Sequence, residues 1–217
     1  MKVVILGASG GCGRQLLRLA RQGGHEVTAV VRPNSQVDGA EGVRVLRGEL
    51  TDVAFLRDAV RGADVVMSAL GLRLTGLAPW HRPEVPDFLS RSTPALIEAM
   101  KSEGVKRLMV ISAGGVGDSR AQMPGVFKAF IDWTALRHAY AELARMEALL
   151  LESGLEVCVC RPTGLNDGPA TGKVVVATGP LRGRAAISRE DVATWMLAQA
   201  AQPTFGARTP LITVTGV

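Results

Sequence analysis

Cysteine, histidine and aromatic side chains are scarce in this chain, and each scarcity excludes a class of function. Three cysteines, Cys12, Cys158 and Cys160, stand among 217 residues with no C-x-x-C spacing. An odd number without that spacing argues against a disulfide framework and against a structural zinc site. The three histidines, His25, His81 and His138, lie far apart, and no H-E-x-x-H, EF-hand or Walker lysine pattern occurs, so no metal is expected. Aromatic residues make up 4%, too few for base-stacking platforms. The net charge of +5 is carried by arginines dispersed singly, which reads as a basic surface, with no nucleic acid as partner. No apolar run reaches the roughly 18 residues of a membrane span, so no membrane is expected as partner either. The segment Met1-Lys2-Val3-Val4-Ile5-Leu6-Gly7 lacks the layout of a signal peptide, which makes the cytoplasm the expected location.

What is present is ordinary globular chemistry, 47% hydrophobic and 21% charged, enough for one well-buried domain over residues 1–217. Two kinds of segment alternate. Strand-like runs cover Lys2–Leu6, Glu26–Val31 and residues 43–46, 64–70, 107–112, 156–160 and 211–215. Helical patterns follow Gly13, then recur at Val53–Val60 and at 94–101, 127–153 and 188–200. Ser188-Arg189-Glu190-Asp191 opens the last of these with a capping-box-like pattern. Near-continuous Val/Ile strands alternating with helices predict an α/β fold of the Rossmann type: a doubly wound, mainly parallel sheet with helices on both faces. Three long irregular segments, 72–91, 114–126 and 163–186, follow predicted strands four, five and six. Ligands bind at such carboxyl ends in open α/β sheets.

The most specific motif is Gly7-Ala8-Ser9-Gly10-Gly11-Cys12-Gly13-Arg14, between the first strand and the first helix. Gly7 permits a tight turn, Gly10 lets the backbone approach a pyrophosphate, and Gly13 lets helix and sheet pack closely. The helix N-terminus then offers unpaired N–H groups to phosphate. An NAD site places an acidic residue at the end of the second strand. Here stands Arg32, in Val30-Val31-Arg32-Pro33-Asn34, a cation suited to a 2′-phosphate, so NADP(H) is expected over NAD(H). Ser68-Ala69-Leu70-Gly71 ends the fourth strand with small residues beside the cofactor ribose.

The G-x-x-G-x-x-G spacing resembles the short-chain dehydrogenase/reductase superfamily, which implies phosphate contacts from Ser9 and from the loop residues Gly10, Gly11, Cys12 and Gly13. Glu49-Leu50 resembles that superfamily's Asp-Leu at the adenine edge, with Glu49 in the aspartate's place. The superfamily's Y-x-x-x-K is absent: the single tyrosine, Tyr140, is followed four residues on by Ala144. The segments Val110-Ile111-Ser112-Ala113-Gly114, Ala144-Arg145-Met146-Glu147, Arg161-Pro162-Thr163-Gly164 and Ile187-Ser188-Arg189-Glu190-Asp191 fall in the order of an atypical branch. They resemble the NAD(P)H-binding, NmrA-like group that includes the flavin reductase/biliverdin-IXβ reductase family. The resemblance implies that Ser112 and Ala113 floor the nicotinamide, with Ser112 the candidate catalytic residue, and that Pro162 and Thr163 approach the carboxamide. Leu143 stands where relatives often carry Lys or His, and Thr163 where flavin reductases carry His.

The expected function is an NADPH-dependent oxidoreductase passing hydride to a planar acceptor such as a flavin or quinone, as monomer or homodimer. The alternative is a non-catalytic NADP(H)-binding sensor. An epimerase or dehydratase ranks third, for want of an acid/base pair. Smaller alternatives stay open. Cys12 is either a thiol activated by the helix N-terminus or a small residue filling a slot. Trp80, His81 and Trp133 line either a planar pocket or an interface. Tyr140 and Leu143 share a helical face with Met146 and Leu150 and read as core.

Overall fold

The computed structural model describes residues 1–183 and 185–215. Its strands are β1 (Lys2–Leu6), β2 (Glu26–Val31), β3 (Arg44–Arg47), β4 (Val65–Ser68), β5 (Arg107–Ile111), β6 (Glu156–Pro162), β7 (Gly164–Asn166), β8 (Val175–Val176), β9 (Ala186–Ser188) and β10 (Leu211–Thr213). The α-helices are α1 (Gly11–Gln22), α2 (Val53–Val60), α3 (Phe88–Ser102), α4 (Gly125–Trp133), α5 (Leu136–Glu152) and α6 (Arg189–Ala200). The main sheet runs β3-β2-β1-β4-β5-β6-β10-β8, parallel except for β8, and β7 pairs with β9 beside it. This is the expected doubly wound Rossmann-type sheet, with its switch point between β1 and β4.

The strands are β-branched runs buried on both faces, as a helix-covered parallel sheet requires. One face packs under α1 and α6 around Ile5, Leu16, Met67, Cys160 and Met196; Cys158 also lies there, so both strand cysteines are core as expected. The other face packs under α2, α3 and α5 around Leu6, Leu56, Val66, Leu96 and Leu150. Registers align the carboxyl ends: Leu6 pairs with Val30 on one side and Ser68 on the other, and Ile111 with Cys160. The predicted loops therefore rise from one edge.

Three expectations need correction. The stretch 127–153 is two helices, not one. Thr134 breaks it with an extended backbone (φ −120°, ψ 174°), its hydroxyl donating to the Phe130 carbonyl and accepting from the Leu136 amide. A short polar side chain has here replaced helical hydrogen bonds. The helix placed at 94–101 begins at Phe88, so Pro94 sits inside it at the loss of one backbone bond, offset by buried Leu89, Leu96, Ala99 and Met100. The segment 163–186 carries β7 and β8 and the start of β9, pairings between short segments distant in sequence that no local pattern announces; position 184 lies outside the described residues.

Candidate functional site

The glycine loop is built by backbone crowding. Gly7 has φ +78°, and a Cβ there would stand 3.0 Å from the Ala69 carbonyl oxygen. Gly13 is tighter: a Cβ would lie 2.1 Å from the Gly7 carbonyl oxygen, which no rotamer relieves. The loop is pinned by Gly7 N–H donating to Val30 O (2.9 Å) and Gly10 N–H to Gly7 O (3.0 Å). Gly10 caps α1 with no side chain, and no acidic residue lies in the first turn. By contrast, Asp52 caps α2 and Ser188 caps α6. The first-turn N–H groups of α1 thus have no side-chain cap and lie at the switch point, where an anion is favoured. A cradle that any Cβ would fill, with an uncapped helix above it, fits a dinucleotide diphosphate.

Arg32 follows β2 and is exposed, with no ion pair or side-chain hydrogen bond among the described residues. Ala69 and Leu70 touch the Gly7 turn, with Leu70 Cδ2 3.2 Å from its Cβ position, and Gly71 is exposed beyond them. Ser9 and Gly11 are partly exposed on the loop, and Gly10 is exposed. Glu49 sits exposed on the rim after β3, whereas Leu50 turns inward among Leu6 and Leu56 and leaves only backbone at that edge. From Arg32 across β1 and β4 to Ser112 is three strand spacings, roughly 14 Å. The structure therefore brings the predicted residues onto one edge.

Cys12 is buried, and burial pushes its thiol up to about 11, against the pull of Arg189. Desolvation thus outweighs the Arg189 charge, which favours the small-residue reading over the activated thiol.

Ser112 sits at the end of β5, its amide donating to Cys160 O at 2.7 Å. Its hydroxyl donates to Glu147 Oε1 at 2.5 Å. Glu147 is 3% exposed on the apolar stripe of α5 and is held by Arg161 through Nε to Oε1 (3.1 Å) and Nη2 to Oε2 (2.6 Å). Arg161 also reaches Asp118 Oδ1 at 2.5 Å. Burial works against the Arg161 charge, but the bonds to Glu147 and Asp118 outweigh it and hold its pKa above the ordinary value. Ser112 is thus a fixed donor inward, leaving its oxygen lone pairs for the site. Ala113 is partly exposed beside it. Pro162 accepts from the Gly114 amide at 2.8 Å, and Thr163 spends its hydroxyl on Thr213 Oγ1 at 3.0 Å.

Glu147 and Arg161 went unassigned in the sequence, although a carboxylate seven residues after Tyr140 on an otherwise apolar stripe was a readable signal. Arg189 went unassigned too; its side chain lies against Gly11, a contact between distant segments with no local signature.

Tyr140 donates its hydroxyl to the Gly114 carbonyl at 3.1 Å, and burial pushes its pKa to about 12. It braces the loop after β5, with its proton committed to the Gly114 carbonyl. Leu143 packs against the core beneath α3, as expected, whereas Tyr140 is half-buried outside the core clusters, which corrects the reading of it as core. The loop after β4 folds into a hairpin with Leu74 opposite Pro83, tied to the start of α5 by Arg137 to Pro79 O (2.7 Å) and by the Ala135 amide to Leu77 O (3.0 Å). Trp80 and Trp133 remain 76% and 79% exposed, so they form no enclosed pocket. Among the described residues no group of His, Cys, Asp and Glu is placed to hold a metal, and no helix is long and apolar enough to cross a membrane.

Comparison with known proteins gives a match to the NAD(P)H-binding family over residues 7–203. A Bacillus subtilis protein named uncharacterized sugar epimerase YhfK is 31% identical over 206 residues, covering 91% of this chain and 87% of that one. Among solved structures, ChuY, described as an anaerobillin reductase from Escherichia coli O157:H7, superposes with a TM-score of 0.77 at 25% identity, covering 98% of this chain and 96% of that one. A putative NAD-dependent epimerase/dehydratase from Bacillus halodurans superposes with a TM-score of 0.75 at 26% identity, covering 98% and 94%.

Proposed function

This chain belongs to the NAD(P)H-binding family, and from that premise we propose that it is an NADPH-dependent oxidoreductase that passes hydride to a planar acceptor such as a flavin or quinone. The observation that carries the reading is the crowded cradle of Gly7 and Gly13 beneath the uncapped N-terminus of α1. Residues 1–217 act as one binding unit, in the cytoplasm, with the acceptor admitted between the loops after β4, β5 and β6.

In this reading the amides and Ser9 hydroxyl of the loop from Gly7 through Gly13, with Cys12 at the back, hold the diphosphate. Arg32 takes the 2′-phosphate, Glu49 and the Leu50 backbone edge the adenine, and Ala69, Leu70 and Gly71 give the ribose room. Ala113, Pro162 and Thr163 floor and flank the nicotinamide, which supplies the hydride when bound. Ser112 serves as an acceptor, because its proton is committed to Glu147. It orients an N–H or O–H of the carboxamide or of the substrate. No side chain here supplies a proton as Tyr does in a Y-x-x-x-K site, since Tyr140 is bonded to Gly114 and Leu143 is apolar. That suits acceptors whose protons come from solvent. It also weighs against epimerase chemistry, which two of the relatives carry in their names and which needs an acid/base pair. The reductase named among the neighbours points the other way.

The same Leu143 and engaged Tyr140 favour one second reading, a sensor that binds NADP(H) without consuming it. The test is NADPH oxidation followed at 340 nm with FMN, FAD and menadione offered separately. Multiple turnovers, faster with NADPH than with NADH, support the oxidoreductase. Tight binding without turnover by any of them overturns it in favour of the sensor.

A further inference from the structure

Arg189 is the first residue of α6, and its side chain runs across the glycine loop. A Cβ on Gly11 would stand 2.7 Å from both its Cδ and its Nε, so the missing side chain at Gly11 is what admits it. Its Nη1 reaches Asp167 Oδ1 at 2.7 Å. That partner is 86% exposed while the arginine is 27% exposed, so water competes for the carboxylate and the pair is weak. The base of the arginine, by contrast, is fixed. Asp191 accepts the Thr171 and Gly172 amides and the Ser188 hydroxyl, and Glu190 is paired with Arg18 at 2.6 Å. A rigidly mounted guanidinium thus lies beside an uncapped helix N-terminus, held by a carboxylate that solvent surrounds.

We propose that Arg189 is a ligand of the cofactor's diphosphate, exchanging Asp167 for phosphate oxygens when the nucleotide binds. This rests on the nucleotide-binding reading above. The guanidinium fork matches two phosphate oxygens, and a diphosphate between it and the α1 amides has donors on both sides. Cys12, beneath, lies close enough to feel both Arg189 and Asp167. The diphosphate is common to NADPH and NADH. The signature of Arg189 is therefore a loss shared equally by both nucleotides, unlike that of Arg32.

The test is equilibrium titration of NADPH and of NADH, followed by nucleotide fluorescence in the binary complex, with thermal melting as a check on folding. Arg189→Ala should raise both dissociation constants by a similar factor, about 10-fold or more. Arg189→Lys, which keeps the charge but not the fork, should fall between the two. Asp167→Asn, which frees the guanidinium, should tighten both by about two- to fivefold. Unchanged constants in a folded Arg189→Ala would overturn the proposal. A loss confined to NADPH would also overturn it, by moving Arg189 to the 2′-phosphate, and weaker binding in Asp167→Asn would refute the exchange. Wild-type protein that binds neither nucleotide contradicts the nucleotide-binding reading itself.

Discussion

At the scale of single residues, the sharpest constraint is steric. Gly13→Ala places a methyl 2.1 Å from the Gly7 carbonyl, a backbone atom that cannot swing away. We expect it to lower stability by about 1–3 kcal/mol and to abolish nucleotide binding, measured by melting and titration. Arg32→Ala should weaken NADPH by about 10-fold or more while leaving NADH nearly unchanged, in the same titration; equal losses would remove the 2′-phosphate assignment. Glu147→Ala leaves the Arg161 cation buried beside an empty space. Breaking such a pair costs about 3–5 kcal/mol, or a melting temperature lowered by roughly 10 °C in a chain this size. The crowding at Gly7 and Gly13 was legible in the sequence because it follows from position between one strand and one helix. Glu147, Arg161 and Arg189 were not, because each acts through a partner on a different element. Leu50 was only half legible: its place after β3 was right, but nothing local says that its side chain turns into the core.

At the scale of elements, Asp191 ties α6 to the loop through residues 167–172 and so positions the Arg189 end of the site. Burial tends to raise its pKa, but the amides of Thr171 and Gly172 and the hydroxyls of Ser188 and Thr171 outweigh burial and hold it below the usual carboxylate range. A depressed folded pKa contributes stability that is present above the unfolded value of about 3.9 and is lost as pH falls through the folded one. Asp191→Asn should therefore be less stable than wild type by about 2 kcal/mol at neutral pH, with the gap closing below pH 4, read from denaturant melts across pH. A gap that persists at low pH would show that the carboxylate charge is irrelevant. The capping pattern at Ser188 announced this helix start correctly. The break at Thr134 was missed because its cause is one hydroxyl competing with the backbone inside an otherwise helical sequence. Neither Gly nor Pro marks the spot.

For the whole molecule, alternation of β-branched runs with amphipathic helices was enough to give the sheet, its parallel sense and the edge from which the long loops rise. It could not give β7, β8 and β9, whose pairings depend on where the chain after Pro162 has already been placed. We propose that this edge holds NADPH with one face of the nicotinamide turned toward an acceptor above Ser112. The most direct measurement is the primary isotope effect on NADPH oxidation by menadione or FMN, using the two 4-deuterated diastereomers of NADPH separately. Deuterium should slow the reaction in one diastereomer only. Bound NADPH that is oxidised by neither acceptor, or equal effects from both diastereomers, would contradict it.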